Sequence, residues 1–227
     1  MTAEPDVTII GLIYRSKAWL NFMHYGLRTA VNTTPTHLMI VGNDPESEVA
    51  GDERITHVYN DPAPKDHYAS RTYRCWNWAA AQAKTKYIVF FNSDMFPADG
   101  WVDDLYRQIE QDPKTIPCSL LIESGRIPSA MPEWVQNLGF HPKDFKPSRF
   151  YTRAAELREP GVVSKGRLYM PCILNREEFL ARGGYPTSAH LANDVTLWRK
   201  MIDDGYQWLT CHGSVVYHVC SGEMAAK

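Results

Sequence analysis

The chain has 227 residues, 44% of them apolar and 22% charged, a balance that supports a buried core and excludes a disordered chain. With 24 basic and 26 acidic residues the formal net charge is −2, so no global attraction to nucleic acid or anionic lipid is built in. The cysteines (Cys75, Cys118, Cys172, Cys211 and Cys220) are odd in number and form no CxxC pair, which argues against a disulfide framework or a structural zinc site. The first residues lack the basic start and long apolar core of a signal peptide, and no stretch nears the roughly 20 apolar residues of a membrane helix. The expectation is a reducing cytoplasm and no membrane segment.

In chain order, residues 7–13 (VTIIGLI) form an apolar, β-branched run of the kind buried on both faces of a parallel sheet. Residues 18–30 carry Leu20, Met23 and Leu27 at helical spacing. Residues 37–41 (HLMIV) predict a second strand, closed by Gly42-Asn43-Asp44-Pro45, and 54–59 a third, closed by Asn60-Asp61-Pro62. Residues 70–83 predict a helix with an Ala-rich second half. Residues 87–91 (YIVFF) are the clearest buried strand, followed at once by Asn92-Ser93-Asp94. A helix is predicted over 97–111, with a proline near its start and Asp99 in its first turn, then a strand over 118–123.

The alternation breaks over 125–166, a stretch with several prolines and the aromatics Trp134, Phe140, Phe145, Phe150 and Tyr151 but little periodicity. Such a stretch predicts a functional lid or binding loop. Its aromatics either stack on a ligand or pack the segment onto the sheet. Beyond it, Asn175 caps a predicted short helix ending at Gly183-Gly184, and another runs from Asn193 to Gly205. Residues 207–211 and 214–219 predict two closing strands. Together these elements predict one α/β domain over 1–227, with a mostly parallel central sheet and helices on both faces.

Ligands of open α/β sheets bind beyond the carboxyl ends of the strands, and Asp94 stands three residues past YIVFF at that edge. Taken alone, such an acid is as readily a turn former or helix cap. Its surroundings say more. YIVFFNSDMFPADGW resembles the strand and metal-binding DxD turn of family 2 glycosyltransferases, whose fold is called GT-A. VTIIGLIYR is similar to that family's opening strand and nucleotide loop, and RTYRCWNWAAAQAKTKYIVFFNSD to its phosphate-side helix with an internal Asn, here Asn77. NREEFLARGGYPTSAHLANDVTLWRKMIDDGYQW resembles the stretch where a Gly-Gly-aromatic turn precedes an acidic pair at a helix start. SVVYHV matches the closing strand with its metal-binding His. The matches keep their order from about residue 7 to 219.

The resemblance implies an inverting transfer of a sugar from a nucleotide-sugar, with UDP favoured, to an acceptor hydroxyl. A divalent cation would stabilise the charge on the leaving diphosphate. The resemblance assigns Asp94 and His218 as its ligands, a mixed carboxylate and imidazole set that favours Mn²⁺, with Mg²⁺ also compatible. It gives Asp194 the role of general base. The donor side falls to Tyr14 and Arg15 after the first strand, to Asn43 or Asp44 after the second, and to Arg71, Asn92 and Ser93. Two departures stand out: Asn92 replaces the first DxD carboxylate, and Asn193 the first acid of the helix-start pair. Those replacements motivate a second reading, a nucleotide-sugar-binding module without turnover. A nucleotidyltransferase would want a Gly-rich phosphate loop with a Lys after the first strand, and Gly11-Leu12-Ile13-Tyr14-Arg15 supplies none. The acceptor remains open among a glycan, a small molecule and a modified nucleobase in DNA. For the last, Lys143, Lys146, Arg149 and Arg153 would line the strand, diluted by Asp144 and Glu156.

Overall fold

The computed structural model describes residues 6–46, 48–126, 132–166, 170–187 and 193–220. Nine strands and six α-helices are found among them. In chain order these are β1 (Val7–Ile13), α1 (Lys17–Thr29), β2 (Thr36–Asn43), β3 (His57–Tyr59), α2 (Tyr68–Gln82), β4 (Tyr87–Asn92), β5 (Met95–Pro97), α3 (Trp101–Gln111) and β6 (Thr115–Glu123). There follow α4 (Pro147–Leu157), β7 (Val163–Lys165), β8 (Ile173–Asn175), α5 (Arg176–Ala181), α6 (Asn193–Asp203) and β9 (Gln207–His218).

The first sheet runs β3-β2-β1-β4-β8, parallel except for β8, which is antiparallel to β4. Both of its faces are covered, as the unbroken apolar runs require. Along β4, Tyr87, Val89 and Phe91 face one core with α1 and α3, while Ile88 and Phe90 face the other with α2, α5 and α6. The two-residue alternation of a strand therefore feeds two separate cores from one run of apolar residues. A second sheet, β5-β9-β6 with β7 also on β9, continues the first through an isolated backbone β-pairing of Cys118 with Cys172, whose thiols are free.

The structure corrects four boundaries. Pro97 is not helical: it lies in β5, opposite Val216, and α3 starts only after Gly100. Gly100 has φ 72°, and a Cβ there would strike the Arg158 guanidinium, so the left-handed turn needs glycine. Asp99 accepts from the Val31 N–H at 2.8 Å instead of starting the helix. The third strand is shorter than expected because Arg54 is held in a turn by Asp52. Within 125–166, Pro147 opens a true helix, α4, that buries Phe150 and Ala154 one turn apart. Lastly, the two closing strands are a single strand, β9, interrupted by a bulge.

That bulge decides what lies opposite what. Ser119 pairs with Cys211, but the next residue, Leu120, pairs with Val215, so His212, Gly213 and Ser214 are extra on β9. Buried Asp104 on α3 holds the bulge by accepting from Gly213 N–H at 3.0 Å and from Gly161 N–H at 2.9 Å, with Arg107 as its ion pair. The Ser119 and Ser214 hydroxyls, 2.7 Å apart, close it from the strand side. After the bulge the ladder sets Glu123 opposite His218. Asp104→Ala leaves both backbone N–H groups without their acceptor. It should lower the unfolding free energy by about 2–4 kcal/mol in a urea titration. A loss under about 1 kcal/mol would show that the bulge does not depend on Asp104.

Candidate functional site

A cleft of about 360 Å³ opens at the carboxyl ends of β1, β2 and β4. Leu12, Tyr14 and Arg15 come from the end of β1, Asn43 from β2, and Asn92, Ser93 and Asp94 from the turn after β4. The N-terminal half of α2 contributes Tyr68, Arg71, Tyr73 and Trp76, α6 contributes Asp194, and β9 ends in the cleft with His218. Nine of the ten residues expected from sequence thus line one cleft: Tyr14, Arg15, Asn43, Arg71, Asn92, Ser93, Asp94, Asp194 and His218.

Asp44 is the exception. Its carboxylate binds Arg71 at 2.7 Å and accepts from the Asp61 N–H at 2.9 Å, so it anchors the cleft wall and does not line it. Of the two candidates after β2, Asn43 is the one that lines the cleft. Asn43 is 4% exposed and lines the cleft, and its Oδ1 has no hydrogen-bond partner. A buried acceptor without a donor is costly, and one facing a cleft suits a ligand N–H. Arg71 also keeps a buried, unpartnered Nε, and its guanidinium sits 5.1 Å from the centre of the Tyr14 ring. Arg74, by contrast, is bound to Asp61 and Asp66 and takes no part in the cleft.

His218 stands between carboxylates. Its Nε2 lies 3.5 Å from Asp94 Oδ2 and its Nδ1 3.5 Å from Glu123 Oε1. Three backbone links fix this placement: β5 pairs Met95 with His218, Val219 N–H donates to the Asp94 carbonyl, and Ser124 N–H donates to the His218 carbonyl. Burial would push the imidazole pKa down, but the negative charge of Asp94, with hydrogen bonds to Asp94, Cys220 and Glu123, carries it well above the ordinary value. A cation between Asp94 and Nε2 fits the spacing, because two ligands each about 2.1 Å from one ion stand roughly 3.0–3.5 Å apart. Glu123, His218 and Cys220 also group at ligand spacing, on the Nδ1 side of the ring.

Asp194 sits in the first turn of α6, where its carboxylate accepts from Val195 N–H at 2.8 Å. Tyr73 approaches it from α2: burial and then the Asp194 charge raise the Tyr73 pKa. The side chain of Asn193 lies outside the described residues. Asn77 and the Gly-Gly-aromatic turn prove to be partners. Asn77 donates to the Tyr185 carbonyl and accepts from the Tyr185 N–H, both at 2.8 Å. Gly184 has φ 69°, and a Cβ there would collide with the Asn77 amide. The Tyr185 ring then packs against Trp198 of α6, which ties α2 to the helix that carries Asp194.

No described residue of 132–166 lines the cleft. Its aromatics pack elsewhere: Phe145 stacks on Tyr217 with centroids 5.4 Å apart, Phe150 meets Phe96 edge-on, and Trp134 meets His212. Arg153 is bound to Glu156 and to the Glu133 carbonyl. Glu123 and Tyr73 escaped the sequence reading. The sequence signal for Glu123 was a lone acid ending the apolar run LLI; Tyr73 gave none, since it sits among other aromatics on a buried helix face.

Residues 70–162 match the model for glycosyl transferase family 2. Among solved structures, the chain is similar to the crystal structure of GalNAc-T7 with UDP, GalNAc and Mn²⁺, at a TM-score of 0.64 and 14% identity over 94% of this chain and 44% of that one. The chain therefore spans less than half the length of that structure. No curated protein matches it. The fold is GT-A, and the resemblance to family 2 glycosyltransferases read from the motifs is borne out.

Proposed function

We infer, from a chain with the GT-A fold and a family 2 match, that this protein is a glycosyltransferase that takes its sugar from a nucleoside-diphosphate sugar with the help of a divalent cation. The observation that carries the reading is the Asp94 and His218 Nε2 pair, 3.5 Å apart, in the same cleft as Asp194. The neighbour bound to UDP and Mn²⁺ supports the choice of donor and metal. When bound, the cation supplies Lewis-acid stabilisation of the leaving diphosphate. It would be held by Asp94 and His218, with the remaining positions left to phosphate oxygens and water.

The chain's own residues divide the rest of the work. Asn43 Oδ1 suits a base that presents a ring N–H, as uracil does, and the Tyr14 ring with Arg71 over it forms a wall for that base. The first turn of α2 has no acid and faces the cleft, so the positive end of its dipole favours a diphosphate. Asp194 takes the proton of the acceptor hydroxyl as that oxygen bonds to the anomeric carbon and the bond to the diphosphate breaks. Attack opposite the leaving group inverts the anomeric centre. Tyr73, close enough for the Asp194 charge to raise its pKa, borders that carboxylate on the α2 side. Asn92 adds no charge, so Asp94 is the one carboxylate that this turn would offer a cation.

Asn43→Ala should weaken UDP at least about tenfold, the order of one lost hydrogen bond in a dry site, while leaving pyrophosphate affinity unchanged. Calorimetry with the two ligands checks this; equal losses for both would remove Asn43 from base recognition. Asp194→Asn keeps size and helix-start hydrogen bonding but removes the basic oxygen. Release of UDP from a panel of UDP-sugars with Mn²⁺ should fall ~10²–10⁴-fold, with donor Kd nearly unchanged. Near-normal turnover would make Asp194 structural, and wild-type binding without any release would favour the module that binds donor without turnover.

A further inference from the structure

On the side of the His218 ring away from Asp94, we propose a second, separate metal site: Glu123, His218 Nδ1 and Cys220 bind Zn²⁺, and the bound zinc inhibits the cleft. Among the described residues these three are the one group of His, Cys and carboxylate side chains at metal spacing, with their ligand atoms all within 4.8 Å of one another. Only His218 lines the cleft, while Glu123 and Cys220 are 2% and 1% exposed.

The spacing is that of tetrahedral zinc. With bonds of about 2.3 Å to sulfur and about 2.0–2.1 Å to nitrogen or oxygen, the tetrahedron has edges of about 3.6 Å from sulfur to nitrogen and about 3.4 Å from oxygen to nitrogen. Here Cys220 Sγ and Glu123 Oε1 each lie 3.5 Å from Nδ1. The third edge, from sulfur to carboxylate, falls within the same 4.8 Å and closes by a turn of either side chain. One carboxylate oxygen suffices for the bond, so Glu123 keeps its second oxygen for the protein. Water takes the fourth position, as in other three-ligand zinc sites.

Little has to move to bind the ion. Glu123 ends β6 and faces His218 across the ladder. Ser124 holds the residues that follow: its N–H donates to the His218 carbonyl at 3.1 Å and its hydroxyl to the Val219 carbonyl at 2.6 Å. Val219 N–H donates to the Asp94 carbonyl at 3.0 Å. Cys220 follows at φ 62°, with its Sγ 3.6 Å from the His218 carbonyl. Ligands fixed in this way give up little freedom on binding. Chemistry then sorts the ions. A set with sulfur and imidazole favours Zn²⁺, whereas Mn²⁺ and Mg²⁺ prefer oxygen and stay with Asp94 and the diphosphate. An imidazole gives one lone pair at a time, so a ring that holds Zn²⁺ through Nδ1 has none for an ion at Nε2. The inhibition rests on the reading of His218 as the cleft's metal ligand; the zinc site does not.

The test uses the full chain with Zn²⁺ and with Co²⁺ as its optical stand-in. Wild-type protein with Co²⁺ should show a sulfur-to-cobalt charge-transfer band in the near ultraviolet, and Zn²⁺ should abolish it. Cys220→Ser keeps the size of the side chain and a donor for the His218 carbonyl but offers no soft ligand, so it should lose the band. With UDP-sugar and Mn²⁺ present, Zn²⁺ should inhibit UDP release by the wild type. Cys220→Ser should need at least about 100-fold more zinc, above the usual 10–100-fold effect of losing a ligand's outer partner. Absence of the band in wild-type protein overturns the site, and that measurement needs no variant to fold. A band that survives Cys220→Ser overturns it too. Equal inhibition of the two proteins overturns the inhibitory role and puts the acting zinc in the cleft. A Cys220-dependent band in a protein that binds neither UDP nor Mn²⁺ supports the site and overturns the reading of the cleft instead.

Discussion

One strand, β9, ties the molecule together, because its end is claimed from both sides. β6 runs parallel along one edge and β5 antiparallel along the other, and both ladders end at His218. The first ladder brings Glu123, the second brings the turn that holds Asp94. A histidine between two carboxylates is a liability unless its charge and protons are fixed, since three ionisable groups crowd a site mostly closed to water. The fold accepts that liability where the sheet meets the cleft. Elsewhere the buried polar groups do structural tasks, as Asp104 does in holding the bulge and the Thr8 and Thr85 hydroxyls do, 2.8 Å apart.

The second constraint runs through α2. Its first turns line the cleft, and its middle, through Asn77, holds the turn that precedes α6. Arg71 and Asp194 are thereby mounted on one helix and its partner. The amide of Asn77 makes the paired bonds that a neighbouring strand would make to Tyr185. Only an amide offers a donor and an acceptor together in that shape. This explains why an internal Asn and a Gly-Gly-aromatic turn, about a hundred residues apart, appear together in the resemblance.

Much of this was legible in the sequence because buried parallel strands announce themselves. The runs VTIIGLI and YIVFF needed no context, and residues placed just beyond such strands had to meet at one edge. The cleft therefore emerged almost whole. What stayed hidden depended on pairing over long distances. Met95 to Pro97 is a three-residue strand that exists only because β9 is there to receive it, so its proline passed for a helix start. The bulge at His212 to Ser214 looked like a break between two strands. Phe150 and Ala154 do have helical spacing, but prolines and scattered aromatics masked it. Glu123 could be seen as an odd acid on an apolar strand, yet its partner was set by a register that no local pattern records.

The chemistry of the cleft depends on where a cation binds. Crystals grown with UDP and Mn²⁺, measured with X-rays at the manganese edge, would locate it by anomalous scattering. The predicted result is a single peak in the cleft, bonded to Asp94 and to His218 Nε2 and touching the diphosphate. UDP bound with no manganese beside it, or a peak behind the ring between Glu123 and Cys220, would contradict the account.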